Sequence, residues 1–176
     1  CDQSPSIFKN VRYLLTGGDV LSVKHIKKLQ DSNPNLTIIN GYGPTENTTF
    51  SACYTIDRVL DRPSIPIGYP ISNSTCYIVS NTGNLQPIGA PGELWVGGDG
   101  VSLGYLHRDD LTKKNFIKNP FAPGRMYKTG DLVRFLPDGR IEFLGRIDNQ
   151  IKIRGFRVEL SEINDKIMEY DGVKQV

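Results

Sequence analysis

Histidine and cysteine are scarce, 2 and 3 in 176 residues. With only His25 and His107, a histidine-centred metal cluster or a Ser-His-Asp relay has almost no material, and both histidines read as surface residues. Cys1, Cys53 and Cys76 are odd in number, widely spaced and free of any CxxC pair. That pattern argues against a disulfide framework and a zinc site, and it suits a reducing, cytoplasmic setting. Long apolar runs are missing too. None approaches the roughly 18 to 20 residues of a membrane helix, and no charged segment leads into an apolar one at the start, so no membrane partner is expected. Neither sign of charge dominates: 21 Lys and Arg face 19 Asp and Glu, for a net +2. The basic residues are scattered among the acidic ones, which gives nucleic acid nothing to bind.

What is present is material for a core broken by many turns. Hydrophobic residues make up 38% of the chain, alongside 18 Gly and 11 Pro,. The first residue is Cys, and Gly172 to Val176 reads as a strand beginning after a helix. Both ends are therefore expected to be internal to a longer polypeptide.

From Val11 to Thr16 a strand-like run stops at Gly17-Gly18-Asp19. Ser22 can then cap a helix carrying Val23, Ile26 and Leu29, which Asn33-Pro34 ends. Leu36 to Ile39 is a second apolar strand, so the strand-helix-strand order predicts a parallel α/β unit in the first sixty or so residues. Beyond Pro63 the texture changes to short β runs, Thr75–Val79 and Glu93–Val96, separated by Gly/Pro/Asn turns. A hairpin is marked by Leu132–Phe135, Pro137-Asp138-Gly139 and Ile141–Leu144. A strand-rich segment, Gln150 to Val158, then precedes a helix capped by Ser161, with Ile163, Ile167 and Tyr170 on one face.

Four segments carry chemistry. Asn40-Gly41-Tyr42-Gly43-Pro44-Thr45-Glu46 directly follows a strand, where open α/β sheets bind ligands. An aromatic face there can stack on a purine, an amide can read its edge, Thr can donate to a phosphate and Glu can hold Mg²⁺. Taken alone it is equally a tight Gly-Pro turn. In Tyr127-Lys128-Thr129-Gly130-Asp131-Leu132, Asp131 could accept both hydroxyls of a ribose or be an ordinary turn residue. Gly92 to Leu106 has the glycine spacing of a dinucleotide loop, but its flanks are β-like and Pro-bounded, so structural turns are the better account. Gly145 to Leu160 crowds Arg146, Lys152, Arg154 and Arg157 with Asp148 and Glu159. That is either a solvated charged strand or a set of cations that offsets charge developing in phosphoryl chemistry.

In this order and with these gaps, the segments resemble the adenylation domains of nonribosomal peptide synthetases, within the acyl-adenylate-forming superfamily. The matching strings are Asn40 then Tyr42-Gly43-Pro44-Thr45-Glu46; Gly92-Glu93-Leu94 running on to Gly104-Tyr105-Leu106; Tyr127 to Leu132; and Gly145-Arg146, Asp148, Gln150, Lys152 to Gly155, Arg157, Glu159-Leu160 and Glu162-Ile163. The resemblance runs nearly end to end. It implies a mixed α/β fold in three parts: the end of a large parallel α/β AMP-binding subdomain over 1–65, a β-rich, distorted barrel-like subdomain over 66–147, and the start of a mobile α+β subdomain over 148–176 with a hinge at Asp148.

The resemblance further implies that Asn40 meets the adenine amino edge, with Gly41 beside it, and that Tyr42 stacks on the ring. Thr45 would meet the α-phosphate, Glu46 coordinate Mg²⁺ and Asp131 hold the ribose diol. Phe143 stands where the family often has Tyr, which removes a hydroxyl near the ribose. Arg146 would contact nucleotide oxygens. The implied reaction is attack by an amino-acid carboxylate on the α-phosphate of ATP, giving aminoacyl-AMP and pyrophosphate. Transfer to the phosphopantetheine thiol of a peptidyl carrier protein would follow, with Lys152, Gly155 and Phe156 on the segment that turns toward the thiol. Family pocket positions fall on Leu15, Gly17, Gly41, Thr49 and Phe50, an apolar slot for a branched aliphatic amino acid, valine ahead of isoleucine or leucine. The family's phosphate loop and α-amino-binding Asp would lie upstream of Cys1 and its catalytic lysine beyond Val176, so these residues alone are expected to be inactive. Competing readings are an acyl-CoA ligase type of adenylate former and a non-catalytic, truncated remnant.

Overall fold

The structure, a computed structural model, describes residues 4–57, 63–148, 150–153 and 156–175; the side chains of 151–153, 156, 157 and 161 lie outside that description. The chain opens with strand β1 (Tyr13–Gly17), helix α1 (Val23–Ser32) and strand β2 (Thr37–Tyr42). β1 and β2 pair in parallel, from Tyr13 opposite Thr37 to Gly17 opposite Gly41, so the predicted strand-helix-strand unit is present. Ile26 and Leu29, three apart on the inner face of α1, pack with Leu36, Ile38, Ile56 and Ile65,. Ser22 occupies the cap position of α1, and its carbonyl accepts from Ile26 N at 3.0 Å, but its side chain makes no cap bond to the helix backbone; its Oγ lies 2.7 Å from His25 Nδ1. The far end is closed by Asn33, whose amide donates to Leu29 O and Pro5 O, each at 2.9 Å,.

β2 runs further than the apolar pattern predicts, because Asn40, Gly41 and Tyr42 continue the strand before the chain turns at Gly43. β3 (Ala52–Thr55) pairs antiparallel with β2, and β4 (Tyr69–Pro70) antiparallel with β3. The parallel part of this sheet is thus one strand pair.

The second sheet contains β5 (Ser74–Val79), β6 (Gly92–Gly98), β7 (Phe116–Lys118), β8 (Arg125–Phe135) and β9 (Ile141–Arg146), with helix α2 (Asp109–Asn115) ahead of β7. Its order is β5-β6-β8-β7, with β9 also paired to β8. Among the described residues the sheet stays open, which corrects the barrel-like expectation: β5 bonds β6 along its length and finds no partner strand across a seam. Its inner face buries Ile78, Leu94, Val96, Tyr127, Val133 and Ile141. The β8–β9 turn falls at Pro137-Asp138-Gly139, as the sequence predicts. Gly139 takes φ +85°, and Asp138 Oδ1 accepts from Arg140 N at 3.1 Å,.

The third sheet is a hairpin of β10 (Gln150–Ile153) and β11 (Phe156–Glu159). Helix α3 follows at Leu160–Met168. Glu159 holds its cap position, so Ser161 lies inside the first turn and is not the cap; the strand runs straight into the helix two residues early. Tyr170 falls beyond the last turn.

Residues 64–68 stitch the first two sheets together. Ile67 N donates to Ile141 O (2.9 Å) and Ile141 N to Gly68 O (2.8 Å), while Ser64 Oγ donates to Glu142 Oε1 (2.8 Å). From the other side, Asn40 Nδ2 donates to Pro66 O at 2.9 Å. Gly68 takes φ +92°, and a side chain there would run into the Cys53 backbone, so only glycine allows the crossing,.

Candidate functional site

Where β2 ends against the β8–β9 hairpin, a cleft of about 230 Å³ opens. Asn40, Gly41 and Tyr42 form one wall, and Asp131, Phe143 and Arg146 form the other. Two of the predicted segments, far apart in sequence, therefore face a shared space. The cleft is formed at the carboxyl end of a strand, as the open-sheet rule requires.

Asp131 is 7% exposed and both its oxygens accept from the protein. The Tyr42 hydroxyl donates to Oδ2, and Arg146 Nη1 donates to Oδ1 at 2.7 Å. The same Nη1 reaches Thr129 O at 2.8 Å, and the other edge of the guanidinium holds Asp148 with bonds of 2.9 and 2.5 Å. Thr129 fixes the start of this array, because its Oγ1 donates to Leu94 O (2.7 Å) and accepts from Asp131 N (3.0 Å). Burial, and then the adjacent Asp131 charge, push the Tyr42 phenol well above its ordinary pKa, so it stays a proton donor,. For Arg146, burial works against the charge, but Asp148 and Asp131 outweigh it and raise the guanidinium above its usual value.

Gly130 makes this packing possible. It takes φ +71°, and a Cβ there would come within 2.7 Å of both Arg146 Nη2 and Asp148 Oδ2. The glycine of the TGD segment thus serves left-handed backbone and close approach together.

Thr45 and Glu46 lie in a short 3-10 turn, Thr45–Asn47, and neither lines the cleft. Thr45 is exposed, whereas Glu46 is 7% exposed. Its Oε1 accepts from Tyr105 (2.6 Å) and from Tyr127 (2.8 Å), partners that sequence reasoning missed. Among the described residues no group of three or more His, Cys, Asp or Glu could hold a metal ion. A lone carboxylate does not build a resident metal site, but it fits Mg²⁺ that arrives with phosphate oxygens and keeps its waters.

Of the predicted substrate-pocket residues, Gly17, Gly41 and Phe50 come together. Gly17 and Gly41 are opposite in the parallel register, and the Phe50 ring lies where a Gly41 side chain would be. Leu15 is 55% exposed on the same face of β1, two residues before Gly17, and Thr49 is exposed,. Asp148 is held by Arg146 and accepts from Gln150 N at 3.1 Å. Gln150, which also lines the cleft, was singled out only as part of a motif. Gly155 and the side chains of Lys152 and Phe156 lie outside the described residues.

The family model described as AMP-binding enzyme matches residues 2–106. The chain belongs to the AMP-binding enzyme family. Among curated relatives of the chain, gramicidin S synthase 2 of Brevibacillus brevis is 58% identical over 170 residues, covering 96% of the chain and 4% of its own length. Tyrocidine synthase 3 of Brevibacillus parabrevis is 56% identical over 173 residues, covering 98% of the chain and 3% of its own length. Of solved structures, PA1221, a nonribosomal peptide synthetase protein containing adenylation and PCP domains, superposes with a TM-score of 0.93 at 34% identity, over 99% of this chain and 36% of that one. The chain thus spans a small fraction of the relatives it matches. The family match stops at residue 106, while these likenesses continue through the second wall of the cleft.

Proposed function

We propose that this AMP-binding chain forms the nucleotide-holding part of an amino-acid-activating adenylation domain, which converts ATP and an amino acid to aminoacyl-AMP and pyrophosphate. The observation that carries this reading is the Asn40, Tyr42, Asp131 and Arg146 constellation around one cleft. A carboxylate oxygen has two acceptor sites, so Asp131 keeps capacity for a ribose diol after taking Tyr42 and Arg146,. The Tyr42 hydroxyl is tethered, which fixes its ring as a stacking surface for adenine. The Asn40 amide nitrogen is spent on Pro66 O, so its carbonyl suits the exocyclic amine. Thr45 is assigned to the α-phosphate.

In this reading an amino-acid carboxylate attacks the α-phosphorus and pyrophosphate leaves. Two anions must meet, so positioning and charge neutralisation supply most of the rate. Glu46 would hold Mg²⁺, which supplies charge neutralisation at the phosphates. Among the described residues, the charged groups lining the cleft are Asp19, Asp131 and Arg146, and Arg146 already serves two carboxylates. Cations for a triphosphate would come from beyond these lining residues, and in this reading the 176 residues alone do not complete the reaction.

The reading extends to a division at 1–65, 66–147 and 148–176, with Asp148 as hinge and Lys152 on the segment that turns toward a carrier-protein phosphopantetheine. That partner is supported by likeness to proteins that carry adenylation and PCP domains. The Leu15, Gly17, Gly41, Thr49 and Phe50 set favours valine, with isoleucine and leucine next, in a cytoplasmic enzyme. Amino-acid-dependent ATP–pyrophosphate exchange by the complete parent domain tests this. Exchange with valine that falls at least about tenfold in Asp131→Ala is expected. Exchange with charged amino acids but not valine, leucine or isoleucine would overturn the substrate, and no exchange with any amino acid would overturn the activity.

A further inference from the structure

The Gly92-Glu93-Leu94 string does not line the cleft, yet its glutamate reaches the turn that carries Asp131. Strands β6 and β8 pair Glu93 with Leu132 and Trp95 with Lys128. Between those two pairs β6 spends one residue, Leu94, while β8 spends three, Thr129, Gly130 and Asp131. The surplus makes a bulge in β8, and backbone groups in a bulge drop out of the ladder and need other partners.

Side chains supply them. Glu93 Oε1 accepts from Gly130 N at 3.0 Å, and Thr129 Oγ1 accepts from Asp131 N at 3.0 Å while donating to Leu94 O at 2.7 Å. Gly130 O in turn accepts from Ile147 N at 2.9 Å, so the glycine is gripped from β6 and from the end of β9 together. The second oxygen of Glu93 is engaged as well, because Oε2 accepts from the Trp95 indole at 2.8 Å. Trp95 is 8% exposed and lies under Lys128, whose Nζ is 4.8 Å from the ring centroid,. The carboxylate is thus fixed at one end by a buried ring on its own strand and at the other by the bulge. Hydrogen bonds to a charged acceptor are the stronger kind, which suits a brace.

The aim of Asp131 depends on that brace. Gly130 takes φ +71°, the kink after which Asp131 meets Tyr42 and Arg146. Removing Glu93 takes the acceptor from Gly130 N and leaves the bulge to glycine, the most permissive backbone,. We infer that Glu93 is a positioning residue that, through Gly130, sets the Asp131 carboxylate against the ribose diol and so contributes to the selection of ribonucleotides over deoxyribonucleotides. This rests on the adenylation reading above, in which Asp131 holds the ribose.

The test uses the complete parent domain with Glu93→Ala, Glu93→Gln and Asp131→Ala, and compares amino-acid-dependent pyrophosphate exchange with ATP and with 2′-deoxy-ATP. The wild-type domain is expected to favour ATP. Glu93→Ala is expected to raise the KM for ATP and to cut that preference about tenfold, with the KM for the amino acid unchanged. Glu93→Gln keeps an amide oxygen for Gly130 N and is expected to retain most of the preference. In the Asp131→Ala background, Glu93→Ala is expected to add no further loss of preference. Equal losses with both nucleotides, or a further loss in the Asp131→Ala background, overturn the positioning role while leaving the adenylation reading intact. If Glu93→Ala fails to fold, Glu93→Asp, which withdraws the carboxylate by one methylene, decides by the same comparison. A wild-type domain that exchanges equally with both nucleotides overturns the ribose assignment of Asp131 and this inference with it. One without amino-acid-dependent exchange overturns the adenylation reading as well.

Discussion

The Tyr42 hydroxyl donates to the Asp131 carboxylate across 89 residues of sequence. This bond joins the end of β2 to the middle of β8, and with it the two walls of the cleft. Asp131 is thereby a structural acceptor as well as the group assigned to the ribose.

Tyr42→Phe should therefore weaken AMP binding even though the ring is kept. The lost bond to a charged acceptor is worth about 1.5 to 3 kcal/mol before water compensates. Tyr42→Leu should weaken it further, since base stacking on an aromatic ring contributes about 1 to 3 kcal/mol. Calorimetric titration of AMP into the complete domain separates the two steps; equal losses would count against stacking.

Asp131→Ala should also destabilise the fold. It removes one of the two carboxylates that hold the mostly buried Arg146, whose side chain is 18% exposed, and it removes the Tyr42 acceptor. Because Asp148 still pairs Arg146, the cost is that of the lost hydrogen bonds, about 1 to 3 kcal/mol,. Asp131→Asn should cost less, because an amide oxygen still accepts. Urea unfolding midpoints give the comparison.

Much of this arrangement is legible in the sequence because it is local. The apolar runs and the Pro-Asp-Gly turn locate β1, α1 and the β8–β9 hairpin to within a few residues. The motif strings point to Asn40, Tyr42, Asp131, Phe143 and Arg146, which do line one cleft. What escapes is set by partners distant in the chain. Asn40 to Tyr42 continue a strand because β3 supplies hydrogen bonds along them, and nothing in Asn40-Gly41-Tyr42 itself signals that pairing. The same holds for Glu46, whose phenol partners lie 59 and 81 residues away. The Ser161 cap failed because Glu159, the last residue of β11, already occupies the helix boundary.

Gly17→Ala should be worse tolerated than Gly41→Ala. At Gly17 the new methyl meets the Gly41 carbonyl, which is backbone held in a parallel pair, whereas at Gly41 it meets the Phe50 ring, which can swing aside. Overpacking costs about 1 to 3 kcal/mol, with Gly17→Ala at the upper end. Thermal unfolding of both variants checks the order, and a shifted amino-acid preference in Gly41→Ala would support Phe50 as part of the substrate slot.

Cys76 provides a pH test. Burial pushes its thiol from 9.0 up to about 12, and the sulfur lies 4.0 Å from Ser51 O as a weak donor. A pKa raised in the fold favours the protonated form, so this contribution is complete below about pH 9 and is lost as pH rises toward 12,. Stability measured over that interval should fall, and Cys76→Ala should flatten the fall. At pH near 8, Cys53, also raised by burial but partly exposed, should react with a thiol reagent before Cys76,.

Residues 64–68 hold Asn40 through Pro66 on one side and Ile141 through Ile67 and Gly68 on the other. The gap between the walls is consequently spanned by a short covalent spacer, which sets its width in advance. On the adenylation reading, an arriving nucleotide meets walls already held at a fixed spacing, and the free energy of binding need not be spent on drawing two sheets together.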